Sequence, residues 1–202
     1  MLDPRLQPVP PYSALIFDCD GTLVDSGPAN EKAWRQALAD WGIELDTAWY
    51  RERTGLSADL LLAELEALTG EPLDRAAVRA AMLDAFGWLV DTVLPQAPVV
   101  AIARANHGRV PLAVASGGTR AAVEASLRAA GVQELFPIVV TKDDVARGKP
   151  APDVYLLAAE RLGTRPGECV AYEDTDEGMT AALAAGMRVI DVRPSLASGS
   201  PA

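Results

Sequence analysis

The chain has 202 residues, half of them hydrophobic, which is enough for one core domain with a modest insertion. Its formal net charge is −10, from 28 acidic and 18 basic residues, and this balance argues against a nucleic-acid partner. No run approaches the ~20 apolar residues of a membrane span, and the amino terminus lacks the apolar centre of a signal peptide. The sequence therefore predicts a cytoplasmic protein with no membrane partner, and it leaves the oligomeric state unknown.

The first strand-like run, near residues 13–18, is followed by two carboxylates. Asp18 and Asp20 come two positions apart after four apolar residues, and Gly21 and Thr22 follow them. Ligands bind beyond the carboxyl ends of strands in open α/β sheets, and two close acids repel each other unless a cation or a shared proton intervenes. The pair indicates metal-assisted chemistry, although an Asp-x-Asp-Gly segment taken alone also fits a simple turn.

Residues 26–94 read as helices only, because apolar residues recur there at helical spacing in three successive stretches. The first stretch centres on Trp34 and Leu38, the second includes Leu60, Leu61, Leu65 and Leu68, and the third runs from Val78 to Val93. Three of the four tryptophans of this segment are interpreted as part of its core: Trp34, Trp41 and Trp49. An all-helical insertion after the first strand predicts a separate small domain.

The rest of the chain alternates between strands and alanine-rich helices. Strand-like runs fall near residues 110–115, 137–140, 168–172 and 187–192. This alternation implies a parallel sheet covered by helices on both faces. The predicted fold class is therefore α/β, with a Rossmann-like core from residues 1–25 and 95–193 and an inserted all-helical domain at 26–94. Residues 194–202, rich in Ser, Pro, Gly and Ala, are predicted to form a flexible tail.

Further polar residues follow the later strand-like runs. Ser116 and Gly117 follow one apolar run, Lys149 lies in a loop before a helical stretch, and Glu173 and Asp174 end another run. Two of these features have a simpler interpretation, since Lys149 alone fits a solvated surface lysine and the acid pair fits a helix cap. Their order along the chain favours a shared site.

Four segments together resemble the ordered motifs of the haloacid dehalogenase-like superfamily: Phe17–Thr22, Ser116, Lys149–Pro150 and Glu173–Asp174. The resemblance covers roughly residues 12–193, and it is strongest to the β-phosphoglucomutase-like sugar phosphatases. Residues 30–35 and 187–193 resemble bacterial fructose-1-phosphate phosphatases. In the resembled family the helical insertion at 26–94 is a mobile cap over the active site.

The resemblance implies an Mg²⁺-dependent phosphatase that works through an aspartyl phosphate. Asp18 would be the nucleophile, and Asp20 would give a proton to the leaving oxygen and then take one from water. By resemblance, Mg²⁺ is held by the Asp18 carboxylate, the Asp20 carbonyl and Asp174, while Glu173 acts indirectly, through a water molecule or without touching the metal.

The phosphate-binding residues follow from the same motifs. Ser116 and the amides around Gly117 would donate to phosphate oxygens, and Lys149 would neutralise the phosphate together with Asp18. The expected partner is a small phosphorylated metabolite, with a sugar phosphate preferred.

Two residues of the helical insertion help to distinguish between the alternative functions. Asn30, a predicted substrate contact, stands where the resembled enzymes usually carry a histidine, and Ala58 stands where the mutases carry an arginine. Neither residue is positively charged, so a phosphatase is favoured over a β-phosphoglucomutase, which stays the alternative enzyme. Asp20 disfavours a dehalogenase and a phosphonatase that would use Lys32. A non-catalytic phosphometabolite-binding module is the alternative from another class.

Overall fold

The computed structural model describes residues 2–197. The chain divides into two compact units, one built from Met1–Asp25 and Leu94–Ala202 and the other from Ser26–Val93. The strands are, in chain order, β1 (Ala14–Phe17), β2 (Val24–Asp25), β3 (Leu94–Pro95), β4 (Leu112–Ala115), β5 (Ile138–Val140), β6 (Cys169–Glu173) and β7 (Arg188–Asp191). The helices are α1 (Gly27–Ala39), α2 (Thr47–Arg51), α3 (Ala58–Thr69), α4 (Arg75–Leu89), α5 (Ala97–Asn106), α6 (Arg120–Ala129), α7 (Asp153–Arg161), α8 (Asp176–Ala184) and α9 (Arg193–Ala197).

The first unit is built on a five-stranded sheet in the order β5-β4-β1-β6-β7. Each neighbouring pair is parallel, and Phe17 of β1 pairs with Val114 on one side and Tyr172 on the other. This arrangement confirms the predicted α/β class with a parallel sheet. The register places the carboxyl ends of β1, β4 and β6 at the same edge.

The three central strands β1, β4 and β6 are buried at every position, as expected for a parallel sheet with helices on both faces. One face packs small residues of these strands against α7 and α8, including Ala113, Ala171, Ala158 and Ala182. On the other face Phe17 stacks on Tyr172 with ring centroids 4.6 Å apart. Both cysteines, Cys19 and Cys169, are buried and free.

The second unit contains α1 to α4 and has its own core, which includes Trp34, Leu38, Leu62 and Val78. Two details of the predicted helix faces are wrong. In α3 the buried face is made by Leu61, Leu62 and Leu65, because these positions share one side of the helix. The two leucines that the sequence analysis added to this face are exposed, Leu60 and Leu68.

Trp41 also departs from its predicted place. It is 36% exposed rather than part of the core. The helix α1 ends before it, and Gly42 follows with a left-handed φ of +69°, so Trp41 lies in a turn that no longer continues the apolar stripe. Trp49 packs at the edge of the same core that holds Trp34.

Two short features near the ends of the units were not predicted. β2 and β3 pair antiparallel, with Val24 opposite Pro95. Residues 194–197, which the sequence analysis assigns to a flexible tail, belong to α9, and the Ser195 amide donates to the Val192 carbonyl. Residues 198–202 of the predicted tail lie outside the described residues. Within residues 2–197, no helix combines the length and apolar character needed to cross a bilayer.

Candidate active site

Polar side chains gather where the central strands end. Asp18 follows β1, Ser116 follows β4, and Glu173 is the last residue of β6. The Asp18 amide donates to the Tyr172 carbonyl at 3.0 Å, and the Ser116 amide donates to the Val140 carbonyl at 2.9 Å. The strand ladder therefore continues through these residues and fixes their backbones, although all three side chains are polar and buried.

Lys149 reaches into this group from the loop before α7. Its Nζ lies 2.6 Å from Asp18 Oδ1 and 2.5 Å from Glu173 Oε1, and its side chain is only 9% exposed. Burial disfavours the charged ammonium, but the carboxylates of Asp18 and Glu173 raise the pKa of Lys149 well above its ordinary value. The interpretation of Lys149 as a solvated surface lysine is therefore wrong.

Glu173 has hydrogen-bond donors on both of its oxygens. Oε1 accepts from Lys149 and from the Tyr155 hydroxyl, the latter at 2.7 Å. Oε2 accepts from the Asp174 amide and from the amide and hydroxyl of Thr175, at 3.1 to 3.2 Å. Although burial opposes ionisation, Lys149 and these hydrogen bonds hold the pKa of Glu173 below its usual value. Glu173 is therefore an anion at neutral pH.

Asp174 is the next carboxylate, and its surroundings differ from those of Glu173. Burial and the neighbouring charge of Glu173 raise the pKa of Asp174 to about 6. Thr22 donates its hydroxyl to Asp174 Oδ1 at 3.0 Å. A Cβ at Gly21, whose φ is +89°, would stand 2.0 Å from Asp174 Oδ2, so the carboxylate lies directly against the Gly21 backbone. Glycine at position 21 is therefore needed both for its φ and for this contact.

The three carboxylates form a donor set that suits a hard divalent cation. One oxygen each from Asp18, Glu173 and Asp174 lie within 4.8 Å of one another. Burial raises the pKa of Asp18 and Lys149 opposes that rise. The Lys149 ammonium contacts Asp18 and Glu173, and the third acid, Asp174, lies beside them. A cation with oxygen ligands would relieve the remaining repulsion, and Mg²⁺ prefers such ligands. Since Glu173 already has a full set of donors, Asp18 and Asp174 fit better as direct ligands.

Asp20 and Ser116 face the same small residue. A Cβ at Gly118 would lie 3.5 Å from Asp20 Oδ2 and 3.4 Å from Ser116 Oγ, which places both groups around this glycine. The Gly118 amide donates to Ser116 Oγ at 3.0 Å, and Gly117 between them is exposed. The loop after β4 therefore places the Ser116 hydroxyl and the Asp20 carboxylate on the same glycine.

Asn30 lies in the other unit, on α1, where its Nδ2 donates to Ser26 Oγ at 3.2 Å. Two further residues of the site escaped the sequence analysis. The sequence indicates Thr22 only as part of a motif and gives no indication of a role for Tyr155. A hydroxyl after an acidic turn is a weak signal for Thr22, whereas an aromatic residue in an apolar helix gives no signal for Tyr155.

The family model of haloacid dehalogenase-like hydrolases matches residues 12–186. The chain belongs to the haloacid dehalogenase-like hydrolase family. This match confirms the resemblance found in the four motifs and the fold class that it implies.

The relatives that this chain matches include proteins named as phosphatases. The chain is 39% identical to the fructose-1-phosphate phosphatase YqaB of Escherichia coli over 90% of this chain and 97% of that protein. It is 36% identical to hexitol phosphatase A of the same organism, over 88% of this chain and 81% of that protein. These matches confirm the predicted enzyme class, a phosphomonoesterase.

Among solved structures, a variant of CbbY from Rhodobacter sphaeroides in complex with xylulose-(1,5)bisphosphate is similar to this chain. The TM-score is 0.77 at 29% identity, covering 89% of this chain and 85% of that one.

Proposed function

We propose that this protein hydrolyses a small phosphate monoester, with a sugar phosphate as the preferred substrate, through an aspartyl phosphate on Asp18. The observation that carries the proposal is the position of Lys149 between Asp18 and Glu173, at 2.6 and 2.5 Å. An ammonium fixed against a buried carboxylate reduces the repulsion between that carboxylate and a phosphate dianion. Approach of an anionic nucleophile to an anionic substrate needs such neutralisation.

In the first step an Asp18 oxygen attacks phosphorus and the ester P–O bond breaks. Asp20 gives a proton to the departing alkoxide, so the alcohol leaves in neutral form. In the second step water attacks the phosphoryl group, Asp20 takes a proton from that water, and the Asp18 carboxylate is released with inorganic phosphate. The partly exposed position of Asp20 beside Gly118 suits a group that exchanges protons with substrate and water.

The phosphoryl oxygens would be held by the loop after β4 and by Lys149. In our proposal the Ser116 hydroxyl and the amides around Gly117 donate to these oxygens, and Ser116 Oγ itself accepts from the Gly118 amide at 3.0 Å. Two of the three N–H donors of Lys149 are directed to Asp18 and Glu173, and the third is in our proposal directed to the phosphate.

We propose Mg²⁺ as the cofactor, held by Asp18, by Asp174 and by the Asp20 carbonyl, with Glu173 acting indirectly. When bound, Mg²⁺ supplies positive charge that offsets the charge of the transferring phosphoryl group. The support for this assignment is the cluster of Asp18, Glu173 and Asp174 oxygens, together with the raised pKa of Asp174, to which burial and the charge of Glu173 contribute. The predicted cytoplasmic location stays a prediction.

The proposed substrate class is supported by the relatives, which include a fructose-1-phosphate phosphatase and a hexitol phosphatase. Asn30 is our proposed cap residue for substrate contact, and its neutral amide disfavours a second phosphate on the substrate.

The deciding experiment is a turnover panel with Mg²⁺ that compares fructose 1-phosphate, hexitol phosphates, phosphoglycolate and mononucleotides. Release of phosphate from none of them would contradict the proposed function.

A further inference from the structure

Tyr155 is a fully buried residue in the first turn of α7, the helix that follows the Lys149 loop. Its hydroxyl donates to Glu173 Oε1 at 2.7 Å, and the centre of its ring lies 5.0 Å from Lys149 Nζ. One side chain therefore contacts both members of the buried ion pair. We propose that Tyr155 is a positioning residue that fixes Glu173 and, through it, directs Lys149 toward Asp18. This inference rests on the proposed phosphatase function.

Glu173 is held on every side. It accepts five hydrogen bonds, two on Oε1 from Lys149 and Tyr155 and three on Oε2 from Asp174 and Thr175. A carboxylate offers about four lone-pair positions, so this set uses its full accepting capacity. A Cβ at Gly178 would lie 1.8 Å from Oε1, so the backbone of α8 also limits where the carboxylate can go. Glu173 therefore acts as a fixed anion.

The position of Lys149 depends on this anion. Its Nζ lies 2.5 Å from Glu173 Oε1 and 2.6 Å from Asp18 Oδ1, so the ammonium is shared between two carboxylates. The Tyr155 hydroxyl is a neutral donor to the oxygen that Lys149 also contacts. Without that hydroxyl, Glu173 Oε1 would lose one of its two side-chain donors and could shift. Lys149, which already lies 2.5 Å from Oε1, would shift with it and away from Asp18.

Tyr172 offers a matched control because it is also fully buried and also donates a buried hydrogen bond. Its hydroxyl donates to the Leu6 carbonyl at 2.9 Å. Tyr172 stacks on Phe17, and its side chain points to the opposite face of β6 from Glu173. Replacing either tyrosine with phenylalanine removes one buried hydroxyl and keeps the ring, although the bond that Tyr155 donates to a carboxylate is the stronger of the two.

The experiment compares wild type, Tyr155→Phe and Tyr172→Phe in steady-state kinetics with Mg²⁺ and the best substrate of the panel. We expect kcat of Tyr155→Phe to fall about tenfold, in the range seen when residues that orient active-site groups are removed. We expect kcat of Tyr172→Phe to stay near the wild-type value, and circular dichroism at the assay temperature should show both variants folded. A crystal structure of Tyr155→Phe should show Lys149 Nζ withdrawn from Asp18 Oδ1.

Three results would overturn the proposal: equal kcat losses in the two variants, an unchanged Lys149–Asp18 contact in Tyr155→Phe, or failure of Tyr155→Phe to fold where Tyr172→Phe folds. The last result would show that the hydroxyl is a requirement of folding. If the wild-type protein hydrolyses no phosphate ester, the proposed function fails. The crystallographic arm still decides the role of Tyr155 in that case, since it needs no turnover.

Discussion

The Glu173 carboxylate lies against the backbone of Gly178, so closely that a Cβ at residue 178 would stand 1.8 Å from Glu173 Oε1. Gly178 is a buried residue of α8, a place where glycine normally costs about 1 kcal/mol relative to alanine. Here its missing side chain makes the space that the buried carboxylate occupies. The glycine therefore lowers the intrinsic stability of α8 at the position where the Glu173 carboxylate has to fit.

We predict that Gly178→Ala is inactive and less stable than wild type, because the new methyl group must displace Glu173 and with it Lys149. The matched control is Gly87→Ala in α4, where a Cβ would meet no atom within 4 Å. That substitution should raise stability by about 0.5–1 kcal/mol through helix propensity. Urea unfolding and steady-state kinetics of the two variants measure both effects. Full activity in Gly178→Ala would contradict the described packing.

A second prediction concerns the nucleophile. Asp18→Asn keeps the size of the side chain but removes its charge, so we expect turnover to fall by several orders of magnitude if a covalent intermediate forms. Beryllofluoride, a mimic of a phosphoryl group, should bind in the wild type on the Asp18 carboxylate. A crystal structure with the fluoride complex bound to another side chain would refute the assignment.

Site residues at the ends of strands could be predicted from the sequence, whereas a site residue in a loop could not be predicted from its local sequence. Asp18, Ser116 and Glu173 directly end or follow apolar runs, and parallel strands bring their carboxyl ends to one edge, so their proximity could be predicted. Lys149 lies in a loop, and nothing in its local sequence distinguishes a buried lysine from a solvated one. Only its order among the other motifs indicated a role.

The residues that were missed depend on packing between distant segments. The partner of the Tyr155 hydroxyl is Glu173, and their meeting depends on how α7 lies over β6. The pairing of β2 with β3 was missed because two-residue strands have no periodicity to read. In the helical unit, the exposed Leu60 shows that apolar residues at approximately helical spacing do not by themselves define the buried face.

The third prediction concerns the cation and its dependence on pH. Because the pKa of Asp174 is raised to about 6, a proton competes for this carboxylate as pH falls through that value. The Mg²⁺ concentration for half-maximal turnover should therefore rise on going from about pH 7.5 to about pH 5.5, and EDTA should abolish turnover. Asp174→Ala should raise the Mg²⁺ requirement or remove activity altogether.

Asp176→Asn is the control for that experiment. Asp176 lies two residues further on, its side chain is 86% exposed, and it pairs with Arg193 at the surface. Its substitution should leave the Mg²⁺ requirement unchanged. Undiminished turnover in EDTA, or an equal effect of the two substitutions, would argue against a cation held by Asp174.

The fourth prediction is that phosphate release outruns isomerisation. A mutase must protect its phosphoenzyme from water while a bisphosphate turns round, and the resembled mutases carry a histidine and an arginine for this at the positions of Asn30 and Ala58. Asn30 and Ala58 supply no positive charge, so water should capture the phosphoryl group. The assay supplies β-glucose 1-phosphate with catalytic glucose 1,6-bisphosphate and follows glucose 6-phosphate and free phosphate together. Isomerisation faster than phosphate release would favour the mutase.

The fifth prediction concerns Asp144, which holds together elements outside the carboxylate cluster. It accepts from the Thr141 amide at 2.8 Å, from Arg120 at 2.6 Å and from Arg161 at 3.0 Å. Burial opposes ionisation, but the Thr141 hydrogen bonds and the two arginines lower the pKa of Asp144 to about 2. Since this value lies below the ordinary 3.8, the ionised form stabilises the folded state. The contribution of Asp144 is fully present above pH 3.8 and is lost as pH falls toward 2, because the folded state then takes up the proton that the unfolded state already holds.

Asp144→Asn should therefore cost about 1–2 kcal/mol in the free energy of unfolding at neutral pH, a figure reduced for the solvent exposure of both arginines. Urea denaturation at neutral pH and at about pH 4 and 3 measures this difference, which should shrink below about pH 4. The neighbouring Asp143→Asn is the control, because an asparagine can still accept from the Arg120 amide that Asp143 binds at 2.8 Å. A loss in Asp144→Asn that stays constant across this acid range, or one that Asp143→Asn equals, would show that the charge of Asp144 is not what stabilises this part of the fold.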